Sequence, residues 1–128
     1  INTCIEVDLT GQIASESLGS RQFSGTGGQN DFAEGAIHAK DGKSIIAMAS
    51  SGTNRAGERY SKIKSILTPG AAVSISRNLA DTVVTEYGVA ELRGRTIRER
   101  ADALISIAHP DFRAQLRKEA RDYGILVD

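Results

Sequence analysis

The last third of the chain constrains the fold most, because it carries start and stop signals for two consecutive helices. Thr96 and Glu99 have the spacing of a capping box, and apolar residues continue on one face of the segment that follows. This helix is expected to stop at His109, because Pro110 stands where a new helix would begin. Apolar residues then recur at every fourth position until Gly124, a typical helix terminator. The chain is therefore predicted to close with a helical pair.

The preceding two thirds alternate short apolar segments with turns. A continuous apolar run at 43–49 is typical of a strand buried on both faces of a parallel sheet. Residues 30–38 are predicted to form a short helix, and the polar residues 50–62 a mobile loop. The other predicted strands are 1–7, 12–14, 63–67, 71–76 and 82–86. This pattern predicts an α/β fold with a mostly parallel sheet flanked by helices.

Composition limits the classes of function. The 128 residues, 16 basic and 16 acidic, fit one globular domain without a broad charge that would attract nucleic acid or a membrane. No apolar run is long enough to span a bilayer, and the single cysteine suits a reducing cytosol, so a cytoplasmic protein is predicted. That residue, Cys4, lies in an apolar strand and is interpreted as a core residue. His38 and His109 have no second ligand at useful spacing, and no metal site is expected.

The first candidate site is a glycine-rich bend at residues 21–32 that enters the predicted short helix. Glycines let a ligand approach the backbone, and the free N–H groups at a helix start favour negative charge. Such amides can hold a phosphate or a developing oxyanion. The third glycine of a dinucleotide fingerprint is absent, and so is a Gly-Lys-Ser/Thr phosphate motif. The bend is therefore either an anion-binding segment or a tight structural turn.

The second candidate is Glu86, an acidic residue at the end of an otherwise β-branched strand. Ligands bind at the carboxyl ends of strands in parallel α/β sheets. Glu86 is either a buried carboxylate that orients a neighbour in the site or an ordinary ion-pair partner for Arg93 or Arg95.

Five segments in this order resemble the C-terminal domain of the acetyl-CoA hydrolase/transferase family, which includes 4-hydroxybutyrate CoA-transferases. No single segment is decisive, but the ordered set is specific and covers nearly the whole chain. The segments are residues 6–12, 25–32, 67–70, 84–94 and 108–112.

The resemblance implies transfer of CoA between carboxylic acids through an enzyme glutamate that attacks the acyl-CoA thioester and then forms a glutamyl-CoA thioester. It implies that Gly28 donates its backbone N–H to the oxyanion, while Gly25 and Gly27 shape a CoA-contacting bend. Glu86 matches a glutamate with a supporting role in the active site. Arg55 takes the position nearest to a CoA-binding lysine of relatives. CoA is then a substrate, and neither a metal nor a redox cofactor is implied.

The family's nucleophilic glutamate matches no residue of this chain. The chain also opens in strand-like sequence at Ile1. We therefore expect residues 1–128 to be the C-terminal portion of an acetyl-CoA hydrolase/transferase domain, whose N-terminal part carries the nucleophile. The expected partners are that N-terminal part, an acyl-CoA and a short-chain carboxylate such as acetate, butyrate or 4-hydroxybutyrate. The sequence leaves open whether the protein forms a homo-oligomer. It also leaves open two alternative functions, an acetyl-CoA hydrolase and a non-catalytic CoA-binding or assembly module.

Overall fold

A computed structural model describes residues 1–127, which contain ten short strands and three helices. The strands are β1 Glu6–Asp8, β2 Ile13–Ala14, β3 Ser17–Leu18, β4 Arg21–Gln22, β5 Ile45–Ala47, β6 Ser51–Thr53, β7 Arg59–Ser61, β8 Ile63–Lys64, β9 Thr82–Thr85 and β10 Gly88–Glu91. The helices are α1 Gln29–His38, α2 Ile97–Ser106 and α3 Pro110–Asp122. The α/β fold and the closing helical pair are confirmed. No helix in this range is long and apolar enough to cross a membrane.

The strands form two three-stranded sheets, ordered β2-β1-β8 and β10-β9-β5, and two separate hairpins, β3-β4 and β6-β7. Each three-stranded sheet contains one antiparallel and one parallel pair. A parallel bridge between Asn2 and Ile46 connects the N-terminal segment to β5. The prediction of a mostly parallel sheet is therefore wrong. The connections β1-β2 and β9-β10 are short, and a short connection can only join antiparallel neighbours.

One hydrophobic core lies between the sheets and the last two helices. Val7, Ile63 and Val83 of the strands are fully buried, and Leu104 of α2 is equally inaccessible. The continuously buried strand β1, the largely buried strand β9 and one buried stripe on each closing helix produce this arrangement. At α2, the Thr96 hydroxyl accepts the N–H of Glu99, and the Glu99 side chain returns a bond to the Thr96 N–H, which confirms the predicted capping box.

Three predictions along the chain are wrong. The mobile loop 50–62 contains the β6-β7 hairpin. Segment 71–76 is not a strand, since only Ile75 forms a bridge, to Ile13. The strands β10, β3 and β4 were not predicted. The missed strands β3, β4, β6 and β7 are two residues long or polar, so no apolar alternation marks their backbone pairing. Segment 71–76 shows the opposite error, since its alternation occurs in a segment that pairs only at Ile75.

Candidate functional site

The glycine-rich bend is exposed over residues 20–28 and leads directly into α1. Gly28 is the N-cap, with φ −102° and ψ 7°, and it has no side chain to bond the first amides of the helix. Gln29 fixes the start of α1, because its side-chain amide donates to the Thr3 carbonyl at 2.5 Å. The bend therefore presents uncapped helix amides to solvent, next to the N-terminal segment that leads into β1.

Packing within the chain does not require glycine at two of the three predicted positions. A Cβ added to Gly25 meets no atom within 4 Å, and one added to Gly28 only reaches the Phe32 ring at 3.7 Å. Gly27 is different, since its φ of +58° is a left-handed conformation that side chains disfavour. The backbone here is open to close approach from outside the described chain.

Glu86 is exposed, and the prediction of a buried carboxylate is wrong. Glu86 and Tyr87 form the two-residue connection of the β9-β10 hairpin, where Thr85 pairs with Gly88. Side chains at such a turn point away from the sheet. Because β10 was not predicted, the turn was not expected, and Glu86 was placed at the end of a buried strand. The partner is neither Arg93 nor Arg95: Oε1 of Glu86 accepts the backbone N–H of Ser50 at 2.7 Å. This bond lowers the pKa of the Glu86 carboxyl.

Arg55 lies at the tip of the β6-β7 hairpin. Thr53 pairs with Arg59 at the last register position, and the Asn54 carbonyl accepts the N–H of Gly57 in the turn. Gly52 is covered by Tyr60, because a Cβ on Gly52 would lie 2.5 Å from the tyrosine hydroxyl. Backbone pairing and this aromatic cover hold in place a segment whose composition indicates a loop.

An open cavity of about 760 Å³ extends from the hairpin tip to β1 and β8. Its lining includes four basic side chains, contributed by Arg21, Arg55, Lys62 and Lys64. Tyr60 and the exposed Leu18 add apolar surface. Although the chain has no net charge, four cations converge here, so the cavity can hold an anionic ligand with an apolar portion.

The other predicted site residues, Gly25, Gly27, Gly28 and Glu86, do not line this cavity. Ser50 links Glu86 to the cavity, because its N–H donates to Glu86 and its carbonyl accepts the N–H of Lys62 at 2.9 Å. Gln29, next to Gly28, donates to the carbonyl of Thr3, and the following residue, Cys4, lines the cavity. The structure thus connects the glycine bend and Glu86 to the walls of the space that Arg55 lines.

Cys4 is a core residue, as predicted. It is 7% exposed, and its thiol lies 3.3 Å from the sulfur of Met48. Burial raises the pKa of the Cys4 thiol to about 12, so the thiol stays protonated at neutral pH and is a poor nucleophile. Among residues 1–127, no group of three or more His, Cys, Asp or Glu side chains is placed to hold a metal ion.

Glu6 is a cavity residue that the sequence did not single out. It is 1% exposed, and its two carboxylate oxygens accept the N–H and the hydroxyl of Thr68, at 2.8 and 3.0 Å. Thr68 begins a turn in which its carbonyl accepts the N–H of Ala71, so this pair attaches the turn to β1. The sequence indicates that Glu6 points to the opposite face of the strand from Ile5 and Val7, because side chains alternate along a strand. It does not indicate that the Glu6 carboxylate is buried, because this burial depends on Thr68, 62 residues away along the chain.

Solved structures share this fold. RipA from Yersinia pestis matches with a TM-score of 0.85 and 38% sequence identity, over 98% of this chain and 27% of that protein. The chain is therefore a mixed α/β domain of the type found in RipA.

Sequence comparison gives the family. The model for the acetyl-CoA hydrolase/transferase C-terminal domain matches residues 1–120. A probable butyrate:acetyl-CoA coenzyme A-transferase of Syntrophomonas wolfei is 54% identical over 98% of this chain, and a 4-hydroxybutyrate coenzyme A transferase of Clostridium kluyveri is 56% identical over 93%. The chain belongs to the acetyl-CoA hydrolase/transferase family. It spans 28% and 27% of the length of these two relatives.

Proposed function

We propose that this chain is the C-terminal, CoA-binding portion of a CoA-transferase, which moves CoA between an acyl-CoA and a short-chain carboxylate such as acetate, butyrate or 4-hydroxybutyrate. The observation that carries the proposal is the cavity with four converging cations, in a chain about half identical to proteins named as CoA-transferases. CoA is a large anion with phosphate groups at one end and a flexible arm. The basic side chains that line the cavity suit the phosphates, and its apolar surface suits the arm.

Catalysis is proposed to depend on a glutamate of the remaining, N-terminal part of the polypeptide. That carboxylate attacks the acyl-CoA thioester and expels the CoA thiolate, which leaves an acyl-glutamyl anhydride. The thiolate then attacks the glutamyl carbonyl, so the first carboxylate leaves and a glutamyl-CoA thioester remains, and a second carboxylate takes CoA by the reverse sequence. Each step develops negative charge on a carbonyl oxygen. The uncapped start of α1 supports the assignment of the Gly28 N–H as an oxyanion donor, with Gly25 and Gly27 shaping the bend. No metal or redox cofactor is needed for this chemistry.

Glu86 is proposed to support the site through Ser50. Its ionised carboxylate accepts the Ser50 N–H at the base of the β6-β7 hairpin, which carries Arg55. Glu86→Gln keeps the shape but makes this bond a neutral one, which is weaker. In the full-length enzyme we expect turnover to fall about tenfold with little change in thermal stability, because the side chain is exposed. An unchanged rate would make Glu86 a structural residue only.

The test of function uses the full-length polypeptide with acetyl-CoA and butyrate. Formation of butyryl-CoA and acetate in equal amounts is the expected result. Release of free CoA without butyrate would instead identify a hydrolase, and binding of acetyl-CoA without turnover would identify a non-catalytic module. Arg55→Ala should raise the KM for acetyl-CoA, whereas Arg93→Ala, an exposed arginine outside the cavity, should not. The 128-residue chain alone should show no transfer, since the nucleophile is expected outside it.

A further inference from the structure

The contacts of His109 join three parts of the molecule. Its ring lies at the junction of α2 and α3, where it is the N-cap of α3, and its side chain is only 13% exposed. Tyr87 and Phe112 pack edge-on to the ring, with centroid distances of 5.7 and 6.0 Å. In addition, Nε2 of the imidazole is in contact with Nη1 of Arg59 in β7.

The two ring nitrogens of His109 face different donors. Nε2 faces the Arg59 guanidinium, and Nδ1 faces the backbone N–H of Asp111 at 3.2 Å. A neutral imidazole has one acceptor nitrogen, so it can accept only one of these bonds at a time. The guanidinium bond is charge-assisted and therefore the stronger, whereas Asp111 is exposed and its N–H can bond water. With Nε2 as acceptor, Nδ1 carries its proton 3.8 Å from the Asp111 carboxylate, a favourable arrangement.

Arg59 transmits this contact to the hairpin. It pairs with Thr53 at the end of the β6-β7 ladder, so these two residues flank the turn that carries Arg55. The other end of the hairpin is fixed at Ser50, whose N–H donates to Glu86. The hairpin is therefore attached at its base by Glu86 and near its tip by His109, and both attachments belong to elements outside the hairpin.

We propose that His109 is a positioning residue, which holds the β6-β7 hairpin through Arg59 and so fixes the wall of the cavity that contains Arg55. The proposal rests on the proposed function in one respect, namely that this cavity takes an acyl-CoA. It gives a role to the Ala108–Phe112 segment, which the sequence singles out and the function above does not use.

Two conservative variants separate the contacts of His109. In His109→Gln, the side-chain amide reaches the place of Nε2, so an acceptor for Arg59 is kept. In His109→Asn, the shorter amide takes the place of Nδ1, so its oxygen can accept the Asp111 N–H and cap α3, while the acceptor for Arg59 is lost. Both lose the aromatic contacts, so the comparison between them isolates the bond to Arg59.

The first measurement is hydrogen exchange of the backbone amides of residues 51–61 in the full-length protein, without substrate. Exchange in the Asn variant should be about tenfold faster than in the Gln variant, as expected for the loss of one charge-assisted bond. Thermal stability should show the opposite order, with the Asn variant nearer to wild type, because asparagine caps α3 well. Equal hairpin exchange in the two variants would overturn the proposal.

The second measurement is steady-state kinetics with acetyl-CoA. The Asn variant should show a KM raised about tenfold with a nearly unchanged kcat, while the Gln variant stays close to wild type. Faster hairpin exchange with an unchanged KM would overturn the link between His109 and the cavity. If the wild-type enzyme does not bind acetyl-CoA, the proposed function itself fails, and the exchange measurement still decides whether His109 holds the hairpin.

Discussion

The helices α1 and α2 have the same length, ten residues, but they are held in different ways. Helix α2 begins with a complete capping box and buries Arg100, Ala101, Leu104 and Ile105. Helix α1 has Gly28 as its N-cap, so it lacks a side-chain cap, and it buries only Ala33. Short isolated helices are marginal in water, and tertiary packing supplies most of their stability. Within the described chain, α2 thus has a firm tertiary attachment and α1 has very little.

This difference separates scaffold from candidate site. The first backbone N–H groups of α1, which a capping side chain would bond, have no such partner and lie next to the glycine bend that is proposed to contact CoA. Phe32, on α1, is 72% exposed, so this large apolar side chain adds no core packing to the helix. A helix end that is free to meet a substrate or another part of the polypeptide gives up local stability for that freedom.

The largest expected effect tests the scaffold. Leu104 of α2 is 0% exposed, so Leu104→Ala should destabilise the chain by about 2–5 kcal/mol through lost burial and a cavity. Phe32→Ala in α1 is the matched control and should change the free energy of unfolding by less than about 0.5 kcal/mol. Equilibrium urea unfolding of both variants measures the difference. Similar losses in the two variants would show that α1 is packed as firmly as α2.

The second prediction concerns activity at the start of α1. Gly28→Ala should lower turnover of the full-length enzyme about a hundredfold or more, equivalent to ~3 kcal/mol, because a Cβ would stand where the thioester oxygen meets the backbone. The backbone angles of Gly28 are accessible to alanine, and its Cβ would meet only the Phe32 ring. Loss of stability should therefore be limited to the poorer N-cap, about 1 kcal/mol.

The outcome of this second test depends on comparing rate with the amount of folded protein. Turnover like that of wild type, or a loss that merely follows the loss of folded enzyme, would make the bend structural and the oxyanion assignment wrong.

The scaffold was the more predictable of the two regions. Thr96, Glu99 and Pro110 act on their immediate neighbours, and local capping and steric rules predict α2 and α3 from the sequence alone. The β9-β10 hairpin was not predicted because Gly88 and Glu91 interrupt any apolar alternation. For the same reason Glu86 was wrongly expected to be buried. The contacts of Glu86 depend on a turn geometry that local patterns do not determine.

The candidate cavity was predictable only in part. Arg55 was assigned from its position in a resemblance, whereas Lys64 is placed at the same cavity by the pairing of β8 with the distant strand β1, and Arg21 reaches it from the separate β3-β4 hairpin. His109 was set aside because no metal-type partner stands near it in sequence. Its contact with Arg59 joins residues 50 positions apart, which spacing rules do not address.

A smaller effect is expected at the cap of α2. Thr96→Ala removes the hydroxyl that accepts the Glu99 N–H and should destabilise the chain by about 1 kcal/mol. Thr96→Ser keeps the hydroxyl and serves as the control, with a change of a few tenths of a kcal/mol. The urea midpoint measures both. If Thr96→Ala leaves the free energy of unfolding unchanged, core packing alone holds α2. The contrast with α1 would then rest on burial and not on capping.

The smallest effect is expected inside α1, at Gly35. A Cβ at this position meets no atom within 4 Å, and glycine is unfavourable in the middle of a helix. Gly35→Ala should therefore stabilise the 128-residue chain slightly, by up to about 1 kcal/mol, and raise its helix content in circular dichroism. Gly42→Ala, just beyond the helix, is the opposing control, because its Cβ would lie 1.9 Å from the Ala36 carbonyl oxygen. If Gly35→Ala also leaves turnover of the full-length enzyme unchanged, this face of α1 is free of close contacts in the enzyme as well. If it stabilises the chain but lowers turnover, a part of the full-length polypeptide or the substrate packs against Gly35, and the weak attachment of α1 in this domain is compensated there.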